Sequence, residues 1–119
     1  MYDQNNIFAK ILRSEVPCKK IAEDKYFLSF HDIAQKAAVH ALVIPTGHYK
    51  NVHDFTTRAS ADEIVGFWKG VNTTIDALNV AQNGYRLIAN TGTHGRQDVP
   101  HFHIHILGGQ DLGPKIVMS

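Results

Sequence analysis

Apolar residues along the chain recur with two periods, and the switches between them mark the elements. Ile7, Phe8, Ile11 and Leu12 stand at helical spacing behind Asn5 and Asn6; either asparagine can cap a short helix, which ends before Pro17. The period then becomes two. Lys20 to Asp24 and Tyr26 to Asp32 predict two strands joined by a tight turn, with Tyr26, Leu28 and Phe30 sharing one side of the second. Val39 to Ile44, rich in β-branched residues and stopped by Pro45, predicts a third strand, and a loop containing Thr46, Gly47 and His48 follows. Ser60, Ala61, Asp62 and Glu63 have the spacing of a capping box. Behind it Ile64, Trp68, Val71, Ile75 and Leu78 form one stripe of a long helix, with Asn83-Gly84 as its stop. Tyr85 to Asn90 and His101 to Leu107 predict two last strands, joined by a glycine-containing loop from Thr91 to Pro100. About five strands, with one short and one long helix inserted at separate points, make an α+β pattern.

Composition narrows this further. No segment repeats, and no linker or block of like charge divides the chain, so residues 1–119 are read as a single domain. A chain of this length buries roughly two-thirds of its unfolded surface. The longest apolar run, Val39 to Ile44, is interrupted by His40, far short of the roughly 18–20 apolar residues of a membrane span. The start, MYDQNNIFAK, has no basic region leading into an apolar stretch, so no secretory signal is expected. Cys18 has no second cysteine to pair with, which fits a reducing cytosol and predicts a cytoplasmic location. Twelve basic against eleven acidic residues give +1, so neither nucleic acid nor a membrane is expected as partner. The unusual number is eight histidines.

Three of them lie in HFHIHIL. His101, His103 and His105 alternate with Phe102, Ile104 and Ile106, so a strand here presents three imidazoles on one face and three large apolar groups on the other. A strand spaces the outer two about 13 Å apart at their Cα atoms, too far for all three to share one zinc ion. A His-x-His metal site with His40 as outside ligand is one reading of these residues, and a solvated strand that happens to be histidine-rich is another. Catalysis is favoured, because imidazole is both a nucleophile toward phosphorus and a proton carrier near neutral pH. Gly108 and Gly109, just after the strand, let backbone approach a ligand closely.

The run from His101 to Leu107 resembles the His-x-His-x-His motif, hydrophobic at each x, of the histidine triad family of nucleotide hydrolases and transferases. The resemblance extends over nearly the whole chain. The opening Ile7 to Ile11, the segment Phe30 to Ile33, the strand His40 to Pro45, and the loop from Asn90, Thr91 and Gly92 to Gly95, Arg96 and Gln97 all match its Hint-like branch. It implies an antiparallel sheet of a histidine-triad-like domain, a homodimer, and purine nucleoside phosphoramidase activity on AMP- or GMP-type conjugates without metal or cofactor. His103 is then the nucleophile that forms a nucleotidyl-histidine, with its far nitrogen held by a backbone carbonyl. His101 and His105 bind phosphate and share protons, and His40 matches the fourth family histidine. A buried, hydrogen-bonded structural histidine is the alternative for His40.

By the same resemblance Asp32 accepts from the ribose hydroxyls, although a solvated turn acid is the plainer reading. Ile7, Phe8, Ile11 and Val16, with Phe30, His31 and Ile33, line the purine pocket; ordinary core packing accounts for most of these equally well. Asn90 and Gln97 match residues that bond phosphate and leaving group. Between Gln97 and Val99 many members carry Ser or Thr, whereas this chain has Asp98, which cannot donate while ionised; Arg96, often Gly in the family, is a candidate partner for it. Trp68 is read as core or interface, and Cys18 has no activating neighbour in the pattern. The tail after Gly109 belongs to a variable region. Three other functions remain open: dinucleoside polyphosphate hydrolysis, a nucleotide-binding or regulatory role with little turnover, and a zinc-binding structural module.

Overall fold

The structure is a computed structural model and describes residues 1–116; the last three residues of the tail lie outside it. Five strands, β1 (Lys19–Glu23), β2 (Phe27–His31), β3 (Val39–Pro45), β4 (Tyr85–Ile88) and β5 (Ile104–Gly108), pair antiparallel in the order β1-β2-β3-β5-β4. Asp24 closes the first hairpin, its Oδ1 accepting from the Tyr26 amide at 2.7 Å, a local bond that Asp makes readily in turns. Central β3 is flanked on both sides, which is why VHALVIP reads as an almost unbroken apolar run.

Alternation along these strands gives the sheet two different faces. Phe27, Ala41, Val43, Phe102, Ile104 and Ile106 pack with Phe55, Phe67, Val71 and Ile75 in one cluster. Leu28, Phe30, Leu42 and Ile44 pack on Phe8 in another. The first face is covered by α2 (Val52–Arg58) and α3 (Ala61–Leu78), and the second receives only the short α1 (Ile7–Leu12). A face covered by six helical residues leaves room beside them for a cavity.

The helix ends follow from capping chemistry. The Asn6 side chain accepts from the Ala9 amide, and Ser60 with Glu63 forms the expected capping box. Along α3, Gly66 and Gly70 stand four apart; a Cβ on Gly70 would lie 2.3 Å from the Phe27 ring, so the helix rests directly on β2.

Three expectations are corrected. A second short helix joins the one short and one long helix expected: Asn51 caps α2 by accepting from the Asp54 amide, and buried Phe55 anchors the helix in the core. The long helix stops at Asn79, which takes the left-handed conformation at φ 57°, before the Asn83-Gly84 signal. The last ladder begins at Ile104, so His101 and His103 sit on an extended approach to β5 rather than within it. Their alternation persists there, since Phe102 is in the α3-side core and His103 faces the other way.

Candidate active site

Extended backbone at 101–103 frees polar atoms that a ladder would have paired. The His103 Nδ1–H donates to the carbonyl of His101 at 2.7 Å. That bond fixes the tautomer: Nδ1 carries the proton, and the Nε2 lone pair is left available. The His103 side chain is only 2% exposed, with the Phe8 ring edge-on at 5.0 Å. The carboxylate of Asp98 stands near Nε2, with Oδ1 3.8 Å away.

A second chain of bonds sets His105. The amide of Lys36 donates to His40 Nδ1 at 3.0 Å, so His40 carries its proton on Nε2. That proton is donated to His105 Nδ1 at 2.9 Å, and Asp32 Oδ2 lies 3.4 Å from His40 Nε2. His105 therefore holds its own proton on Nε2, the nitrogen left for a ligand. Burial is the main reason that its pKa is pushed down to about 4, with the neighbouring His103 and His40 adding to it. His40 is lowered too, first by burial, against the raising pull of Asp32. Both rings are neutral donors at pH 7.

Asp32, His40 and His105 each place one potential ligand atom within 4.8 Å of the others'. The donor set does not fit a metal ion at this point. His40 Nε2 would have to give up its proton to Nδ1, which would then face the Lys36 N–H, donor against donor.

A cavity of about 360 Å³ opens in front of His103 and His105. Ile7, Phe8, Ile11, Val16 and Phe30 line it with apolar surface, and His31, Asp32, Ile33 and Asp98 stand among its other walls. An apolar slot with a few convergent polar groups is the usual form of a small-ligand site. Ile33 is 95% exposed at its edge, an exposure that ordinary core packing does not explain. Asp32 already accepts from the Ala34 amide at 2.9 Å through Oδ1, which orients the carboxylate and leaves further lone pairs on both oxygens. A larger recess of about 600 Å³, between Asn79–Arg86 and Gly109–Gly113, contains none of the histidines.

Several residues singled out in the sequence are not brought to this cavity. His101 is fully buried: its Nε2–H donates to the Pro45 carbonyl at 2.9 Å, and its Nδ1 accepts from the Tyr2 hydroxyl. Neither nitrogen is left for phosphate, and the residue acts on the site through its carbonyl. Asn90 donates to the Gly95 carbonyl at 2.7 Å, and Gln97 donates to the carbonyls of Lys50 and Val99, so both amides brace the loop. Asp98 stands beside His103, and Arg96 makes no ion pair with it among the described residues; Arg96 has φ 57°, a backbone position that suits glycine. Conversely, Pro17, Cys18, Leu42 and Val99 line the cavity without having been singled out for it. Leu42 could have been, because it shares β3 parity with His40. Burial raises the Cys18 thiol pKa, which makes it less nucleophilic.

Against known proteins, the HIT domain model matches residues 13–112 of this chain. The chain belongs to the HIT family. An uncharacterized 13.2 kDa HIT-like protein of Azospirillum brasilense is 47% identical over 115 residues, covering 97% of this chain and 94% of its own. The purine nucleoside phosphoramidase of Escherichia coli K12 is 38% identical over 114 residues, covering 95% and 94%. Among solved structures, a HIT family hydrolase from Clostridium thermocellum superimposes with a TM-score of 0.87 at 38% identity, covering 97% of this chain and 99% of that one. The five-stranded antiparallel sheet with its helices is thus the HIT fold. The HIT-domain match begins after α1, yet Ile7, Phe8 and Ile11 from α1 wall the cavity, so the segment before the matched region completes this site.

Proposed function

We propose that this HIT protein hydrolyses purine nucleoside phosphoramidates through a nucleotide covalently held on His103. The observation that carries the reading is the tautomer of His103, whose proton is fixed on Nδ1 by the His101 carbonyl while Nε2 looks into the cavity. The likeness to the E. coli purine nucleoside phosphoramidase supports the substrate class.

In the first step the Nε2 lone pair forms a bond to the α-phosphorus, and the P–N bond breaks with its electron pair going to the leaving nitrogen. That nitrogen takes a proton from solvent and departs as the amine. The ring becomes a phosphorylated imidazolium whose Nδ1–H is still bonded to the His101 carbonyl, so no proton has to move on the nucleophile. His105 Nε2–H, kept in place by His40, donates to a phosphoryl oxygen as charge builds there. In the second step water forms the new P–O bond, the P–Nε2 bond breaks, and the nucleoside monophosphate leaves as the water loses its proton. The apolar walls between Ile7 and Phe30 suit a flat purine, and Asp32 is placed to accept from ribose hydroxyls.

Exposed Val65 and Trp68 on α3, with Tyr85 and Leu87 on edge strand β4, fit a second copy of the chain related by a two-fold axis; light scattering at a dimer's mass tests this. No helix among the described residues is long and apolar enough to cross a membrane, and a cytoplasmic location is inferred with the single cysteine in view.

Rapid quench of the protein with adenosine phosphoramidate, followed by intact-mass measurement, tests the reading. An adduct of one AMP on His103 that forms and decays at the turnover rate is expected. Binding of nucleotide with no adduct and no turnover would leave a nucleotide-binding protein instead.

A further inference from the structure

We infer that Asp98 selects the leaving group: the site favours amines that carry positive charge close to the P–N bond and disfavours those that carry negative charge. This rests on the reading of His103 as nucleophile. In-line displacement puts the leaving nitrogen on the far side of phosphorus from Nε2, so the groups that meet it stand at the outer wall of the cavity rather than beneath it. Asp98 is part of that wall. Its Oδ1 is 3.8 Å from His103 Nε2, and its side chain is 81% exposed.

A phosphoryl group arriving at Nε2 enters the space beside the carboxylate, and the carboxylate must turn outward with the leaving group. Among the described residues no side chain holds it in place. Arg96 makes no ion pair among the described residues, and Gln97, its chain neighbour, gives both of its side-chain hydrogen bonds to the carbonyls of Lys50 and Val99. The loop backbone is therefore held while the Asp98 side chain is left to rotate. A carboxylate so placed stabilises an ammonium within a few ångströms and repels a second carboxylate or phosphate. It also favours protonation of the departing nitrogen, the form in which an amine leaves.

The effect belongs to the first step only, because the amine has gone before water attacks. That separates it from a general contribution of Asp98 to structure or to hydrolysis of the intermediate.

Three adenosine phosphoramidates of nearly equal length test the inference: those of 1,2-diaminoethane, n-propylamine and glycine, which end in an ammonium, a methyl and a carboxylate. For the wild type, kcat/KM should fall in that order, with the first roughly 10- to 100-fold above the last at low salt, narrowing at 1 M salt. In Asp98→Asn, which keeps shape and removes charge, the three should agree within about threefold, while decay of the AMP-His103 adduct stays the same for all three. An equal order of preference in both proteins overturns the role of Asp98 and leaves the nucleophile standing. Failure of the wild type to cleave any of the three, with no adduct, overturns both readings together.

Discussion

His40 Nε2 lies 2.9 Å from His105 Nδ1, and the Lys36 amide on the opposite nitrogen of His40 makes that contact directional: the proton sits on His40 and points at His105. A main-chain amide cannot change its protonation state, so one backbone N–H sets the tautomers of two rings in series.

The first prediction tests that series. His40→Leu keeps the bulk of a buried side chain and leaves His105 Nδ1 without a donor, a loss of about 1–3 kcal/mol that, felt in the transition state, lowers kcat about 5- to 150-fold. His40→Gln, whose amide N–H can reach the same nitrogen, should recover part of it with KM nearly unchanged. Wild-type kcat in the leucine variant would show that the contact does not matter to turnover.

His103→Ala should abolish both turnover and the AMP adduct on intact protein, because the bond to phosphorus forms on its Nε2. His101 is buried with both nitrogens bonded, and the remaining nitrogen of His105 holds a proton. An adduct of normal yield in this variant would move the nucleophile elsewhere.

How far the sequence foretold this site depends on which force placed each residue. Alternation placed Phe102, Ile104 and Ile106 in the core and turned His103 and His105 away from it, because period two is set by backbone geometry alone. The fate of His101 was not legible. It depends on the Pro45 carbonyl and on Tyr2, ninety-nine positions away, and no local pattern reports such a contact. Helix α2 leaves no periodic trace in the sequence because its seven residues bury one large side chain, Phe55; the Asn51 cap is its local signal. Asn90 and Gln97 stand out by residue type, while the hydrogen bonds their amide donors make within the loop follow no local pattern.

Asp32→Asn should weaken nucleotide binding about 10- to 150-fold, the equivalent of roughly 1.5–3 kcal/mol for charge-assisted acceptors. The asparagine oxygen can still take the Ala34 amide, which turns its NH₂ toward the proton on His40 Nε2, so the variant both loses an acceptor and sets two donors together. Calorimetry with AMP and its 2′,3′-dideoxy analogue checks the assignment: if the wild type binds both equally well, Asp32 does not read the ribose.

Gly70→Ala should destabilise the fold although alanine is the better helix former. The gain in propensity is about 1 kcal/mol. Against it, the new Cβ would stand 2.3 Å from the ring of Phe27, which is 3% exposed and cannot move aside. Overpacking of this kind costs about 1–3 kcal/mol before the helix lifts from the sheet. A lower Tm is expected, and a raised one would mean that α3 shifts on β2 more readily than the packing suggests.

Acid should weaken the protein before its carboxylates titrate. Burial pushes the pKa of His101 and of His105 down to about 4, and lowers that of His40. An unfolded histidine titrates near 6.5, so between about pH 6.5 and pH 4 the unfolded chain binds protons that the native state refuses, and stability rises with pH across that window. It is fully present above about pH 6.5 and lost progressively below it. For buried His101 the slope is at most about 1.4 kcal/mol per pH unit. Asp54, which the Arg58 guanidinium holds down to about 2, adds its own loss only below the histidine window. Tm measured at pH 7.5, 6.5, 5.5 and 4.5 should therefore fall most steeply below 6.5. His101→Gln can keep a donor toward Pro45 without titrating, so its Tm should begin lower and fall less over the same range; an unchanged slope would mean that the buried ring of His101 is not what makes the fold sensitive to acid.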